Sequence, residues 1–320
     1  MIKFTAVIPV YNRPEEIDEL LESLTKQTYT HFEVIVVEDG SREGEKCEEI
    51  TSSYSDRLDV KYFYKENTGQ GFSRNYGFEK ASGDYFVVFD SDCIIPEKYF
   101  EEVNSFLENQ WLDAFGGPDR ASEDFNDMQK AISYSMTSLF TTGGIRGKKK
   151  HVGQFQPRSF NMGISKEVFQ KTGGYAMTNM GEDIEYSVRM INAGFKVDLI
   201  PEAYVYHKRR GSFKQFFKQI FSFGRSRIIM RSFLPGALKP VHFFPLCFVI
   251  AMLVFLMLPF INFDLFKIAC IFVVFYFGGI LLDSSIQNKS IKVGVLSIIA
   301  SVVQLTAYGL GFLKELMTSK

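Results

Sequence analysis

The chain has 320 residues and a formal net charge of −1, with 36 Lys or Arg against 37 Asp or Glu. That length allows about two domains of roughly 100 to 200 residues each. The basic residues cluster beside an apolar C-terminal region and no nucleic-acid-binding motif is present, which excludes nucleic acid as an expected partner. The four Cys lack paired spacing, which excludes a cysteine zinc site or a disulfide framework.

The first part of the chain alternates between predicted strands and helices. Residues 4–10 and 32–37 are apolar and rich in β-branched side chains, and a third strand is predicted at residues 60–64. Between the first two strands, Pro14 suits the first position of a helix with one apolar face. This alternation predicts an α/β fold with a mixed, mainly parallel sheet and helices on both faces. Ligands of such sheets bind beyond the carboxyl ends of the strands, where Asp39 follows the second strand.

A further buried strand is predicted at residues 83–89, directly before Asp90, Ser91 and Asp92. If strand geometry continues through Ser91, the two carboxylates point the same way. Neighbouring carboxylates repel each other unless a positive charge lies between them, and a divalent cation shared with phosphate oxygens supplies one. A polar turn after the strand explains the same residues without a metal.

Four segments in this order, VIPVYNR, EVIVVEDGS, NTGQGFSRNYG and GDYFVVFDSD, resemble the nucleotide-sugar half of a family 2 glycosyltransferase with the GT-A fold. The resemblance covers roughly residues 4–230. It implies that the donor is bound by Pro9, Tyr11, Arg13, Asp39, Asn67, Gly69, Arg74, Asp90 and Ser91. It also implies that Asp92 is the principal ligand of Mg²⁺ or Mn²⁺. Glu38 departs from the commoner aspartate of the family, which we interpret as a mild change.

The acceptor side is expected after a strand at residues 112–116 and a long polar passage at residues 118–160. That passage contains a basic cluster of Arg146, Lys148, Lys149, Lys150 and His151. The cluster is either a solvated charge run or a contact for an anionic acceptor or lipid surface. Family resemblance implies Asn161 and Glu182 on the acceptor side and Asp183 as the catalytic base. Helix capping alone also explains Glu182 and Asp183. His207 is a candidate metal ligand, although a lone histidine after a strand is more often structural.

Three weakly charged apolar runs, at about 240–262, 265–283 and 293–313, are each long enough to cross a bilayer. Before them, residues 208–239 hold nine Lys or Arg and no acid, which marks the cytoplasmic side. Residues 212–239 carry aromatic side chains on one helical face and predict an interfacial helix and basic linker; a helix packed inside the protein is the alternative. We therefore expect a cytoplasmic GT-A domain at 1–211, anchored in a bacterial inner membrane.

These features predict a metal-dependent, inverting glycosyltransferase of polysaccharide biosynthesis that uses a nucleotide sugar, expected to be a UDP-sugar. Its acceptor would be a hydroxyl of a glycan, carried on a lipid because the domain is held at the membrane. Two alternatives stay open at this point. Transfer to a polyprenyl phosphate would make Asp183 dispensable, since that nucleophile is already anionic. A catalytically silent nucleotide-binding scaffold is the other, and the intact Asp90, Asp92 and Asp183 argue against it.

Overall fold

A computed structural model describes residues 1–120, 125–142, 155–207, 211–233 and 238–318, with the backbone alone for His207, Ser232 and Phe233. The basic cluster at residues 146–151 and Lys208 to Arg210 lie outside the described residues. The chain divides into two compact units, Met1–Ser122 with Gly153–Lys208 and Glu123–Val152 with Arg209–Lys320. Each unit is described by itself below.

The first unit is built on a seven-stranded sheet. Its strands are β1 (Phe4–Val10), β2 (Phe32–Asp39), β3 (Val60–Lys65), β4 (Tyr85–Phe89), β6 (Ala114–Gly116), β8 (Asn161–Ser165) and β9 (Val197–Leu199), and they lie in the order β3-β2-β1-β4-β8-β6-β9. The pairs among β3, β2, β1 and β4 are parallel, whereas β8 runs antiparallel to both β4 and β6. The predicted mixed, mainly parallel sheet is therefore confirmed. A smaller sheet joins β5 (Cys93–Ile94), β10 (Val205–His207) and β7 (Asp119–Arg120).

Helices cover both faces of the large sheet. They are α1 (Pro14–Leu24), α2 (Glu48–Ser52), α3 (Gln70–Lys80), α4 (Tyr99–Asn109), α7 (Lys166–Thr172) and α8 (Glu182–Asn192). Alternate residues of β1 point to opposite cores, because side chains alternate along a strand. Ile8 packs in a core with α1 and α4, while Val7 packs with α3, α7 and α8 on the other face.

A buried carboxylate, Glu33, ties three parts of this unit together. It accepts hydrogen bonds from Thr5 Oγ1 at 2.7 Å, from the Ser82 backbone amide at 2.6 Å and from Lys61 Nζ at 2.8 Å. Burial by itself raises the pKa of Glu33, but these hydrogen bonds outweigh it and lower the pKa to about 2. The ionised form of Glu33 therefore stabilises the folded state at neutral pH.

Strand β4 ends at Phe89, two residues before Ser91, so the strand geometry that would point the two carboxylates the same way does not continue through Ser91. Ser91 and Asp92 lie in a turn, and the amide of Cys93 donates to the Asp90 carbonyl at 3.1 Å. The turn sends the chain into β5 and so into the smaller sheet. Asp90 and Asp92 are consequently placed by a turn rather than by a continuing strand.

The second unit is helical. Its elements are α5 (Asp127–Thr137), α6 (Leu139–Thr142), α9 (Phe213–Phe233), a short 3-10 turn (Pro240–Phe243), α10 (Phe244–Ile261), α11 (Phe263–Asn288) and α12 (Ile291–Thr318). Three segments of the described chain, Pro240–Ile261, Phe263–Asn288 and Ile291–Thr318, are long and apolar enough to span a membrane, with mean hydropathies of 2.7, 2.4 and 1.8. They agree with the three predicted runs to within a few residues.

Helix α9 packs closely along α12. An added Cβ on Gly224 would lie 2.2 Å from the Tyr308 carbonyl oxygen, and one on Gly311 would lie 2.1 Å from that of Phe221. Such glycines let two helix backbones approach each other. Phe216 and Ile220, on the aromatic face expected to dip under lipid headgroups, are buried against protein instead.

The segment 123–142 also differs from expectation, since it was assigned by sequence to the domain at 1–211. In the structure it belongs to the helical unit, because Ala131, Ile132 and Met136 of α5 share a buried core with α9 and α12. Lys292, at the start of α12, pairs with Asp127 at 2.8 Å.

Candidate functional site

The loops after β1 and β2 are bonded to each other at the carboxyl edge of the large sheet. The amide of Asn12 donates to Ser41 Oγ at 2.7 Å, and Asn12 Oδ1 accepts from the Arg42 amide at 2.9 Å. Ser41 Oγ in turn donates to the fully buried Glu38, which also accepts from the Cys47 amide at 2.7 Å. Glu38, the residue that departs from the family's aspartate, is thus buried and holds this loop.

Asp39 holds the start of the glycine-rich loop. Its Oδ1 accepts from the Thr68 amide at 2.9 Å and from Lys65 Nζ at 2.5 Å, and its Oδ2 accepts from the Gly69 amide at 2.9 Å. Asn67 donates through Nδ2 to the Asp39 carbonyl at 2.8 Å. The carboxylate is 4% exposed, and three of its four lone-pair positions are used by protein. One position is left for a donor such as a base edge.

Two glycines let the segment at 177–179 approach the start of α3. Gly69 has a φ of +91°, and an added Cβ there would lie 1.9 Å from Thr178 Oγ1. A Cβ on Gly71 would lie 2.1 Å from the Met177 carbonyl oxygen, and the Gly71 amide donates to the Thr178 carbonyl at 2.9 Å. Any larger residue at these positions would separate the glycine-rich loop from the segment that leads into α8.

Arg74, on α3, joins the two predicted halves of the site. It is fully buried, and it donates through Nη2 to Asp90 Oδ1 at 2.9 Å and through Nη1 to Glu182 Oε1 at 3.0 Å. Its guanidinium lies 5.3 Å from the centre of the Tyr175 ring, and its Nε has no hydrogen-bond partner among the described residues. Arg74 therefore holds Asp90 and Glu182 in place from a buried position, and the nucleotide contact implied for it stays a prediction.

Asp92 is paired with a cation of the first loop. Its Oδ2 accepts from Arg13 Nη1 at 2.9 Å, and the side chain is 8% exposed. Ser91 beside it is buried, whereas the Asp90 side chain is 31% exposed. No group of three or more His, Cys, Asp or Glu side chains in the described part of the chain could hold a metal by itself. Two carboxylates with oxygen ligands nonetheless fit Mg²⁺ or Mn²⁺, since such ions are commonly completed by phosphate oxygens and water.

His207 lies close to these carboxylates along the backbone. In the antiparallel pair of β10 and β5 its backbone is opposite Cys93, the residue after Asp92. Its side chain is outside the described part, so metal ligation by His207 stays a prediction. Burial raises the pKa of the Cys93 thiol well above its usual value, which keeps that group neutral.

The acid pair at the start of α8 consists of two carboxylates in different surroundings. Glu182 is 3% exposed and also accepts from Gln70 Nε2 at 2.5 Å. Burial raises the pKa of Glu182, Arg74 lowers it, and the neighbouring Asp183 raises it further; the net direction is upward. Asp183 Oδ1 accepts from the Ile184 amide at 2.8 Å, and its Oδ2 lies 3.4 Å from Arg158 Nη1.

Three other predicted residues occupy contrasting positions. Asn161 is fully buried: its Oδ1 accepts from Tyr99 Oη at 2.5 Å and its Nδ2 donates to the Ala203 carbonyl at 2.7 Å. Both ends of its amide are thus used by protein, which makes it a support of β8. Tyr11 is 47% exposed at the end of β1, and Pro9 lies opposite Val37 within the sheet.

Sequence reasoning missed Lys65, Gln70, Arg158 and Tyr175. Lys65 could have been found, because it ends β3 and lies opposite Asp39 in the parallel register. Gln70 and Tyr175 flank recognised glycines but carry no signal of a contact more than 100 residues away. Arg158 precedes β8 in an irregular stretch, where no pattern points to Asp183.

Comparison with known proteins shows the family of the chain. The sequence model described as glycosyl transferase family 2 matches residues 5–173. An uncharacterized glycosyltransferase of Rickettsia conorii is 36% identical over 126 residues, which are 38% of this chain and 20% of that protein. Glycosyltransferase AglE of Haloferax volcanii is 26% identical over 231 residues, 70% of this chain and 72% of AglE. The chain thus spans about a fifth of the first relative and most of the second.

Two solved structures are similar in fold. The mannosyltransferase PcManGT from Pyrobaculum calidifontis, in complex with GDP-Man and Mn²⁺, matches with a TM-score of 0.67 and 15% identity, covering 100% of this chain and 88% of that one. Staphylococcus aureus TarS 1–349 in complex with UDP-GlcNAc matches with a TM-score of 0.50 and 19% identity, covering 98% and 92%. At these identities the likeness shows the fold alone.

Proposed function

The chain belongs to glycosyl transferase family 2, and on this premise we propose that it moves a sugar from a nucleoside-diphosphate sugar to an acceptor hydroxyl with inversion. The proposed donor is a UDP-sugar and the proposed acceptor is a lipid-linked glycan. The catalytic domain would lie in the cytoplasm of a bacterium and be anchored in its inner membrane.

The observation that carries the proposal is the position of Arg74. One guanidinium contacts Asp90, on the implied donor side, and Glu182, beside the implied base. On the same helix, the amide of Gly69 at its N-cap is bonded to Asp39. Donor-side and acceptor-side carboxylates from distant parts of the sequence are therefore held around a single helix end, as one displacement reaction requires.

In the proposed reaction, the acceptor oxygen attacks the anomeric carbon from the side opposite the diphosphate. A bond forms between that oxygen and the anomeric carbon while the bond to the diphosphate oxygen breaks, which inverts the configuration. Asp183 accepts the hydroxyl proton. Its Oδ1 accepts from the Ile184 amide at 2.8 Å and its Oδ2 lies 3.4 Å from Arg158 Nη1, so these two groups hold the carboxylate in position.

A divalent cation, when bound with the donor, would supply positive charge for the leaving diphosphate. Asp92 and Asp90 would hold it, with His207 as a further proposed ligand. Arg13, already 2.9 Å from Asp92, provides a positive charge for the same phosphates. The Mn²⁺ and GDP-Man of the structurally similar PcManGT support this assignment.

A lipid-linked acceptor is proposed because the same chain carries three helices long and apolar enough to span a membrane. Such helices confine a transferase domain to the membrane surface, where lipid-linked acceptors are presented. The basic run before the first of these helices supports a cytoplasmic domain.

One observation favours a second candidate, transfer to a polyprenyl phosphate. Arg158 has a 39% exposed side chain beside Asp183 and could bind an anionic acceptor. In that reaction the nucleophile needs no base. Asp183→Asn would then retain turnover, while Arg158→Leu would lose it.

We would test the main proposal with the purified full chain in detergent, using a panel of nucleotide sugars and scoring hydrolysis and transfer with Mg²⁺ or Mn²⁺. Asp183→Asn should bind the active nucleotide sugar like the wild type but lose transfer. A matched control is Asp198→Asn, because Asp198 also accepts from the amide of the next residue at 2.8 Å but is exposed on β9. Loss of binding in Asp183→Asn would indicate a structural role instead.

A further inference from the structure

Helices α5 and α6 lie within the polar passage at residues 118–160 but pack against a helix that is long and apolar enough to span a membrane. The Tyr134 hydroxyl donates to Asp283 Oδ2 at 2.6 Å, and the Tyr276 hydroxyl donates to the Phe140 carbonyl at 2.9 Å. Phe140 also contacts Gly279, where an added Cβ would lie 3.2 Å from its ring. All three contacts are with α11.

These contacts set the depth that the segment reaches along α11. Asp283 begins the polar end of that helix, since residues 283–289 are mostly polar and the preceding turns are apolar. Tyr276 lies seven residues earlier, which is about 10 Å at a rise of 1.5 Å per residue. Phe140 is therefore about 10 Å beyond the polar boundary, alongside the apolar part of α11.

The backbone at the break between α5 and α6 is satisfied in the way that a lipid environment demands. Hydroxyl groups donate to its carbonyl oxygens: Thr137 to Ser133 at 2.9 Å, Thr141 to Ser135, and Thr142 to Ser138 at 2.8 Å. The Phe140 carbonyl is satisfied by Tyr276 from the neighbouring helix. Non-helical backbone persists at membrane depth only where protein groups pair with it in this manner.

The two exposed side chains of α6 are apolar, as are many exposed side chains of α11. Leu139 is 67% exposed and Phe140 is 38% exposed. On α11, Phe272, Phe275 and Leu282 are 71%, 75% and 65% exposed. Adjacent exposed apolar side chains on both elements are suited to the same solvent, which is lipid hydrocarbon if α11 spans the bilayer.

We propose that α5 and α6 form a re-entrant element that enters the cytoplasmic side of the bilayer and places Leu139 and Phe140 among the acyl chains. This inference rests on the proposed membrane placement of α11. The re-entrant element would give the protein a second contact with lipid, in addition to the C-terminal helices. This contact comes from the part of the sequence that matches the family, residues 5–173. Asp127 and Lys292 pair at the polar end of the element and mark the headgroup level.

The test uses tryptophan fluorescence in the full chain reconstituted into phosphatidylcholine vesicles. Trp111 is the single tryptophan, so a Trp111→Phe background carries one new tryptophan at a time. Leu139→Trp is the probe. Phe275→Trp on α11 is the depth-matched control, and Lys130→Trp on α5, near the Asp127 end, is the shallow control. Vesicles with bromine at the middle of the acyl chains quench only tryptophans that lie among those chains.

We expect Leu139→Trp to lose as much emission as Phe275→Trp and more than Lys130→Trp. Quenching of Phe275→Trp with none in Leu139→Trp beyond that of Lys130→Trp would overturn the re-entrant element and leave the membrane anchor standing. If Phe275→Trp is also unquenched, α11 is not in the bilayer, and both the membrane placement and the re-entrant element fail. Transferase activity measured on the same samples reports separately on the catalytic proposal.

Discussion

Replacement of Arg74 by Leu is the sharpest test of how the site is assembled. The substitution removes two charge-assisted hydrogen bonds, to Glu182 at 3.0 Å and to Asp90 at 2.9 Å, and a contact with the Tyr175 ring. Removing one partner of a buried ion pair typically costs about 3–5 kcal/mol, because the remaining charge stays buried. The Glu182 side chain is 4% exposed and contributes most of this cost, whereas Asp90 at 31% exposure can be rehydrated. We therefore expect Arg74→Leu to lower the free energy of unfolding by about 3–5 kcal/mol.

Urea unfolding of the full chain in detergent measures this loss. Trp111 reports on the catalytic unit, because its ring packs on Tyr85 at a centroid distance of 5.8 Å. Arg57→Leu is the matched control: Arg57 pairs with Glu22 at 3.0 Å but is 51% exposed. Exposed pairs contribute about 0.2–1 kcal/mol, so the control should change little.

Two further results separate the ion pair from a simple loss of packing. Arg74→Leu combined with Glu182→Leu should be more stable than Arg74→Leu alone, because no unpaired charge is left at that position. Glu182 also makes the loss depend on pH. Burial raises its pKa and Arg74 lowers it, so Glu182 in Arg74→Leu binds a proton at higher pH than in the wild type. A carboxyl with a raised pKa in the folded state loses stability as pH rises, and the deficit of the variant should therefore shrink at acid pH. A loss no larger than that of Arg57→Leu, or a double variant no more stable than the single one, would refute the reasoning.

Three other changes have definite expected outcomes. The pKa of Glu33 is lowered to about 2, so the stability contributed by its ionised form is complete above the ordinary pKa of 4.5 and is lost as pH falls towards 2. In Glu33→Gln the free energy of unfolding at neutral pH should fall by about 2–3 kcal/mol, and its dependence on acid pH should flatten. Urea unfolding midpoints measured across acid pH would show both changes. Gly69→Ala should abolish binding of the nucleotide sugar in a binding titration, since the added Cβ would lie 1.9 Å from Thr178 Oγ1. The control is Gly194→Ala, where φ is a similar +87° and nothing lies within 4 Å of the added Cβ; this variant should be strained but should still bind the nucleotide sugar. Chelation of divalent metal should stop transfer reversibly and Asp92→Ala should stop it under all metals, whereas turnover by Asp92→Ala would remove the metal assignment.

The sequence alone determined which stretches of the chain form the first strands, where the three apolar helices lie, and which family the chain resembles. These features depend on local spacing: alternation along β1 and β2, apolar runs of bilayer length, and short motifs such as Asp90-Ser91-Asp92. Local spacing is preserved when a chain folds, because covalent geometry fixes which side chains share a face. That is why the predicted bounds of β1 and α10 agree closely with those observed.

Only the tertiary structure decided which of these pieces meet. Gln70 contacts Glu182 and Arg158 lies beside Asp183 because separate elements converge, and no local pattern encodes that convergence. The family resemblance implies a nucleotide contact for Arg74, but only the structure shows that two carboxylates from distant segments pair with its charge. Likewise, α5 follows the strands of the catalytic domain in the sequence but packs with the C-terminal helices, because its apolar face is buried against α9 and α12.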